Sequence, residues 1–193
     1  MDKIDTKGPF LNFINKRIQL DDKKSEHILK LVHYQQALKN TMLVQPGEIC
    51  KKFYYIVSGG IRIYYVTPEG REKTRVVLFE NSPFTAFLSF ITARPSAELI
   101  EVLEDSHFAV MTRDDFFKLV DEMPEWSTFY RKMLERTFVY QHTRLEQLAT
   151  LSAGQRYKIV LHESPHFVQR LSNRILASYL DITQETLSRL KSK

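Results

Sequence analysis

Gln184, Glu185, Ser188 and Arg189 fall at spacings that put them on one face of a helix near the carboxyl end of the chain. The set suits the reading of base edges in a DNA major groove. An arginine grips guanine O6 and N7 together, and a carboxylate accepts a hydrogen bond from cytosine N4. Gln184, Glu185 and Arg189 are therefore the candidate base contacts. Thr183, Thr186, Ser188, Lys191 and Lys193 are better placed for phosphates, which set register without carrying sequence. A second chemistry, at His162-Glu163-Ser164-Pro165-His166, matches the H-E-x-x-H pattern of zinc proteases. That chemistry needs both histidines on one face of an unbroken helix, and Pro165 interrupts it. The segment reads as a short linker without an obvious third ligand, so neither a metal site nor an enzyme is expected.

The elements that would position the polar face occupy Ser172 to Lys193. Leu176, Ala177 and Leu180 form the buried stripe of one helix, Ile182 plugs a turn, and Leu187 and Leu190 anchor a second helix. Ala177 is small where two helices must approach closely, as in a helix-turn-helix. Thr183 can cap the second helix, and Glu185 lies in its first turn, where the helix dipole favours an anion. Asp181 occupies the turn position that wants a left-handed backbone. Glycine fits there most easily, and aspartate tolerates it better than most residues.

Charge is uneven along the chain. Residues 151–193 carry seven Lys/Arg against three acidic residues, while the first 150 carry 21 against 20. A basic tail on a nearly neutral body fits polyanion binding. With 193 residues, 43% of them hydrophobic, the chain can form one large domain, or a medium and a small one. No apolar run reaches the length of a membrane span. The charged Met1 to Gly8 segment lacks a signal-peptide core, and the lone Cys50 provides neither a disulfide nor a cluster framework. These features point to the cytoplasm, with no membrane partner.

The first forty residues read helical, from Phe10, Leu11, Phe13, Ile14 and Ile18 to Ile28, Leu29, Leu31 and Val32, with a polar break near Asp21–Ser25. From Thr41 the texture becomes β. Strands are expected at Lys52–Ser58, Ile61–Val66 and Lys73–Phe79, with Gly59-Gly60 bending the chain and Thr67-Pro68-Glu69-Gly70 forming a hairpin turn. Further strands are expected at Glu98–Leu103 and His107–Met111, as in a β-barrel or sandwich. Helical character returns at Arg113, and Pro124 opens a helix running to about Ala149 or Leu151. Its apolar positions, Trp126, Phe129, Tyr130, Met133, Leu134, Phe138, Leu145 and Leu148, need cover along its length. Either a second copy of the chain or its own β domain could supply that cover.

This order of elements resembles the Crp/Fnr family of bacterial transcription regulators. The resemblance rests on Pro46-Gly47-Glu48 with Tyr54-Tyr55-Ile56-Val57-Ser58-Gly59, and most specifically on Leu176-Ala177-Ser178-Tyr179-Leu180 with Ile182-Thr183-Gln184-Glu185-Thr186-Leu187-Ser188-Arg189. The stretch from Glu80-Asn81-Ser82-Pro83 to Leu103-Glu104-Asp105-Ser106 is similar to a Bacteroidetes-type branch. The resemblance implies an α+β protein in three parts. These are a β-roll sensor-like domain (1–122), a long dimerisation helix (123–150) and a helix-turn-helix DNA-binding domain (151–193). It implies a homodimer on a two-fold symmetric double-stranded DNA site. The chain stops soon after the recognition helix, so a carboxyl-terminal wing is expected to be missing.

Nucleotide-binding members of that family hold a cyclic phosphate with an arginine and the ribose hydroxyl with a carboxylate. Alignment through Ser89-Phe90 and Pro95-Ser96 puts the acidic position on Ala86 and the arginine position on Ser96. Neither can play the role, and Arg94 lies two residues away. Ala86, Ser96 and Ala97 thus outline a degenerate effector pocket. Cyclic AMP or GMP is not expected, no cofactor is called for, and the effector is unknown. Haem or iron–sulfur sensing lacks ligands, since His27, His33, His107 and His142 are scattered. The leading expectation is a DNA-binding regulator. The alternative is a small-ligand-binding module whose DNA contact is weak or lost.

Overall fold

The computed structural model describes residues 7–192. Most of the amino-terminal Met1 to Gly8 segment and the expected phosphate contact Lys193 lie outside the described residues. Two helices, α1 (Lys7–Asn15) and α2 (Asp22–Lys30), precede strands β1 (Val32–Ala37), β2 (Met42–Val44), β3 (Lys52–Val66), β4 (Glu72–Phe79) and β5 (Pro83–Phe84). Then come α3 (Phe87–Thr92), β6 (Leu99–Thr112), α4 (Arg113–Glu122) and the long α5 (Pro124–Thr150). The chain continues through α6 (Ala153–Glu163), α7 (Pro165–Arg170), α8 (Asn173–Leu180) and α9 (Gln184–Lys191). The fold is α+β, an antiparallel β-roll followed by helices. No helix among the described residues is long and apolar enough to cross a membrane.

The strands run in the order β1-β6-β3-β4, with β2 also on β6 and β5 on β3. β1 corrects the helical reading of the first forty residues: Val32 pairs with Met111 and Ala37 with Ser106. Cross-strand pairing overrides local propensity there, as it often does for short segments. The strands expected on either side of Gly59-Gly60 are one continuous β3, and those at 98–103 and 107–111 are one β6. The glycines permit close approach without ending the strand. Gly59 has φ +95°, and a Cβ on it would run into Ser106, while one on Gly60 would strike the Phe79 ring.

The described chain divides into two compact units, one up to Ile63 plus Leu78–Leu134, the other Tyr64–Val77 plus the residues from Glu135 onward. In the first unit, Phe53 and Tyr55 on one face of β3 join Phe10, Phe13, Ile28, Phe90, Phe116, Trp126 and Phe129 in a single core. The alternate residues Tyr54 and Ile56 face the other way and are also buried. Cover on both faces explains why this stretch of β3 reads as an unbroken apolar run.

In the second unit, a hairpin tip closed by Gly70 N–H donating to Thr67 O (2.9 Å) accompanies the later half of α5 and helices α6–α9. Tyr157 and Val160 of α6, Phe167 of α7, Leu176, Ala177 and Leu180 of α8 and Leu187 of α9 are buried. Helix α6 starts on a capping box in which Ser152 and Gln155 bond each other's backbone amides.

Candidate nucleic-acid interface

Helix α8 begins at Ser172, whose hydroxyl accepts from Ile175 N–H (3.3 Å), and ends at Asp181 with φ +55° and ψ +48°. The left-handed conformation demanded at Asp181 is therefore adopted. Ile182 N–H then reaches back to Ala177 O (3.0 Å), the longer bond of a Schellman-type cap. Thr183 caps α9 by accepting from Thr186 N–H (3.2 Å). Leu187 is fully buried and seats α9 against the rest of the unit.

With Leu187 inward, Gln184, Glu185, Ser188 and Arg189 are all exposed on the opposite side. Hydrogen bonding from the Thr183 hydroxyl and from its own amide, with Arg189 nearby, holds the Glu185 carboxyl below the usual carboxylate range. It is an anion at neutral pH and can only accept. Arg189 Nη2 donates to Thr186 Oγ1 (3.3 Å), and Lys191 Nζ donates to Asn173 Oδ1 (2.6 Å). Of the expected phosphate contacts, Thr183 and Thr186 have their hydroxyls engaged locally, whereas Ser188 is exposed at the surface.

Two arginines fix the carboxyl end of α8, where unsatisfied carbonyls attract cations. Arg144 of α5 donates to Tyr179 O and lies 4.3 Å over the Tyr179 ring. Arg156 of α6 donates to Leu180 O (3.1 Å) and Leu151 O (2.5 Å). Burial, then the neighbouring Tyr179 phenol, pushes the Tyr140 phenol well up, so it stays protonated. The hairpin grips the exposed side of α8 through Thr74, whose N–H donates to Ser178 Oγ (2.9 Å), and through an Arg174–Glu72 ion pair (2.6 Å). Sequence reasoning counted Arg156 and Arg174 only as tail charge. No local signal could have found Arg174's partner, since Glu72 and Arg174 lie about a hundred residues apart in sequence.

On α5, the apolar side chains beyond Leu134 are open. Phe138 and Leu145 are each 64% exposed. Together with Val139, His142 and Ala149 they line a shallow apolar groove of about 380 Å³.

In the first unit, Ala86 is completely buried at the start of α3 and presents only a methyl group. The Ser96 hydroxyl is occupied by the Glu98 backbone, donating to its carbonyl (3.1 Å) and accepting from its amide (3.0 Å). Ala97 and Arg94 are exposed. Just before Ala86, Phe84 stacks on Tyr54 (4.9 Å) and meets Phe108 edge-on (5.5 Å). Burial pushes the Tyr54 phenol well up, with the neighbouring Cys50 and Glu48 adding to it. Sequence reasoning missed a buried ion pair on neighbouring strands, in which Arg62 donates from Nε and Nη2 to Glu101 Oε2 (2.6 and 2.5 Å).

The protease-like histidines are not in a linker but at a helix break. His162 is near the end of α6, Ser164 leaves helical geometry at φ −143° and ψ +55°, and Pro165 opens α7 with His166 behind it. The two imidazoles therefore do not share the continuous helical face that the zinc-protease motif requires.

Residues 34–123 match the cyclic nucleotide-binding domain model. The transcriptional regulatory protein btr of Bordetella pertussis is 29% identical over 102 residues, covering 47% of this chain and 42% of that protein. The match thus spans less than half of that relative's length. Among solved structures, the c-di-GMP-responsive global regulator CLP of Xanthomonas campestris superposes with a TM-score of 0.73 at 17% identity, over 88% of this chain and 89% of that one. A regulator assigned to the Crp/Fnr family, from Eubacterium rectale, gives 0.72 at 18% identity, over 89% and 82%. Residues 34–123 are thus similar to cyclic nucleotide-binding domains, and the chain has the fold of the Crp/Fnr transcription regulators.

Proposed function

We propose that this protein is a non-enzymatic, cytoplasmic transcription regulator of the Crp/Fnr type that binds double-stranded DNA as a homodimer. Gln184, Glu185 and Arg189 read base edges, while Thr183, Thr186, Ser188, Lys191 and Lys193 meet phosphates. The observation that carries this reading is the exposed polar face of α9, on a helix capped by Thr183 and seated by the buried Leu187. A second copy on the Phe138–Leu145 face of α5 would supply the twin recognition helix, because its apolar positions follow the spacing of a two-helix seam.

The cyclic-nucleotide site is degenerate in this reading. A buried phosphate needs a fixed cation and a ribose hydroxyl needs an acceptor. Ala86 and Ser96 supply neither, and Phe84 packs into the same segment. The effector is a different ligand, or the roll serves as a scaffold. The match of residues 34–123 to a ligand-binding domain favours a second reading, a small-ligand module with weak DNA contact. A thermal-shift panel of nucleotides and metabolites would expose it, since a ligand of the folded state raises the melting temperature.

Selection from a random duplex pool at low salt tests the main reading. The wild type is expected to enrich a two-fold symmetric sequence. Arg189→Ala is expected to relax preference at one position per half-site, at a cost of about 1–3 kcal/mol. No enrichment over background by the wild type would remove the DNA reading.

A further inference from the structure

Three consecutive residues of the hairpin, Glu72, Lys73 and Thr74, meet Arg174 and Ser178 of α8 and Asp181, which caps its end. Glu72 Oε2 pairs with Arg174 Nη1 (2.6 Å). Thr74 donates from its amide to Ser178 Oγ (2.9 Å), which itself donates to Glu72 O (3.0 Å). Lys73 Nζ pairs with Asp181. Arg174 and Ser178 lie four apart on one side of α8, Asp181 follows at its end, and Leu176, Ala177 and Leu180 bury the other side.

Arg174 is the unusual member. It stands in the first turn of α8, where the helix dipole disfavours a cation and rewards a nearby anion. In a helix-turn-helix, the first helix crosses the sugar-phosphate backbone while the second enters the groove. The anion beside Arg174 is a carboxylate in the free protein, and the backbone of a docked duplex is a source of competing phosphates. The pair is open to exchange, with the Arg174 side chain 54% and the Glu72 side chain 26% exposed. Ion pairs at such exposure are weak and readily replaced.

We infer that Glu72 is an internal competitor of the DNA backbone: it occupies Arg174 in the free protein, and a phosphate displaces it when the helix-turn-helix docks. The inference rests on the DNA-binding reading above and adds to it a phosphate contact, Arg174, and a residue that restrains binding, Glu72. The hairpin would then set how tightly any duplex is held without touching its sequence.

The test is a double-mutant cycle on the full chain. Affinity for a mixed-sequence 30-base-pair duplex is measured from low to moderate salt for the wild type, Glu72→Gln, Arg174→Ala and the double variant. Glu72→Gln is expected to tighten binding about threefold to fivefold, the worth of one half-exposed pair. Arg174→Ala is expected to weaken binding and flatten the slope of log affinity against log salt by about one phosphate contact. In the Arg174→Ala background the Glu72 substitution is expected to change nothing. Tightening that persists without Arg174 is bulk charge, and it overturns the proposal, as does an unchanged affinity for Glu72→Gln. Glu72→Ala serves as a second neutral variant, and melting curves show whether each variant is folded. A wild type and variants that all fail to bind duplex sink the DNA reading itself, and this inference with it. Wild-type binding with an uncoupled cycle sinks the inference alone.

Discussion

The two halves of α5 have much the same composition and opposite fates. Trp126, Phe129 and Met133 are 0%, 1% and 9% exposed, with Trp126 edge-on to Phe116 (5.4 Å) and Phe13 edge-on to Phe129 (6.1 Å). Phe138 and Leu145, three turns on, are each 64% exposed. One continuous helix thus serves two purposes. Its first half completes the core of its own unit, and its second half carries apolar area that its own unit leaves open. Periodicity says which side of a helix must be covered and is silent on what covers it. Of the two sources of cover weighed from the sequence, packing against its own unit accounts for the first half. Cover of the second half by a partner copy is the proposal made above.

Substitutions should separate the halves. Trp126→Ala removes a fully buried indole from the middle of an aromatic cluster, and is expected to cost about 3–5 kcal/mol. Urea denaturation would show it as a lower midpoint at every protein concentration. A cost below about 1 kcal/mol would mean that the first half is not the structural half. Phe138→Glu with Leu145→Glu should do the reverse. Each chain keeps its fold, with a far-UV spectrum like the wild type's, while sedimentation reports a halved mass. Burying a Phe or Leu contributes roughly 1.5–3 kcal/mol, so the dimer dissociation constant should rise at least about a hundredfold. Affinity for a two-fold duplex should fall with it. A variant that stays dimeric would assign the open face of α5 to some other occupant.

What was legible follows the range of the interactions. Pro124 opening a helix to Thr150 could be read, because a proline start and seven turns without a breaker are local facts. The helix-turn-helix could be read too, down to the left-handed Asp181, since its buried stripe and caps sit within about twenty residues. β1 could not, because Val32 and Ala37 become a strand only by pairing with Met111 and Ser106 far along the chain. The continuity of β3 was hidden by Gly59-Gly60, which resembles a turn until Ser106 and Phe79 are seen against it. At the candidate interface, the exposed face of α9 was visible as spacing. The grip of Glu72 and Thr74 on α8 was not, nor was the buried Arg62–Glu101 pair, since each joins segments that sequence places far apart.

The smallest expected effect lies at the start of α5, where the buried half meets solvent. Lys24 of α2 donates to Glu125 Oε1 (2.6 Å), with Asp21 also 3.8 Å from Lys24. The Lys24 bond, helped by the Glu125 amide, holds the Glu125 carboxyl below its ordinary value. The same bond raises the Lys24 ammonium above its own. The two shifts act at opposite ends of the pH scale. The Glu125 contribution is present above the ordinary glutamate range and is lost as pH falls through the depressed value. The Lys24 contribution is present below the ordinary lysine range and is lost as pH rises through the elevated one. Lys24→Met keeps an apolar stem and removes both. Its stability deficit against the wild type, read from urea midpoints, should be widest near neutrality and shrink as pH falls below the ordinary glutamate range and as it rises above the ordinary lysine range. Added salt should narrow it as well, because both side chains are partly exposed. A deficit that holds constant across pH and salt would instead mean that the charge pair contributes nothing to anchoring the buried half.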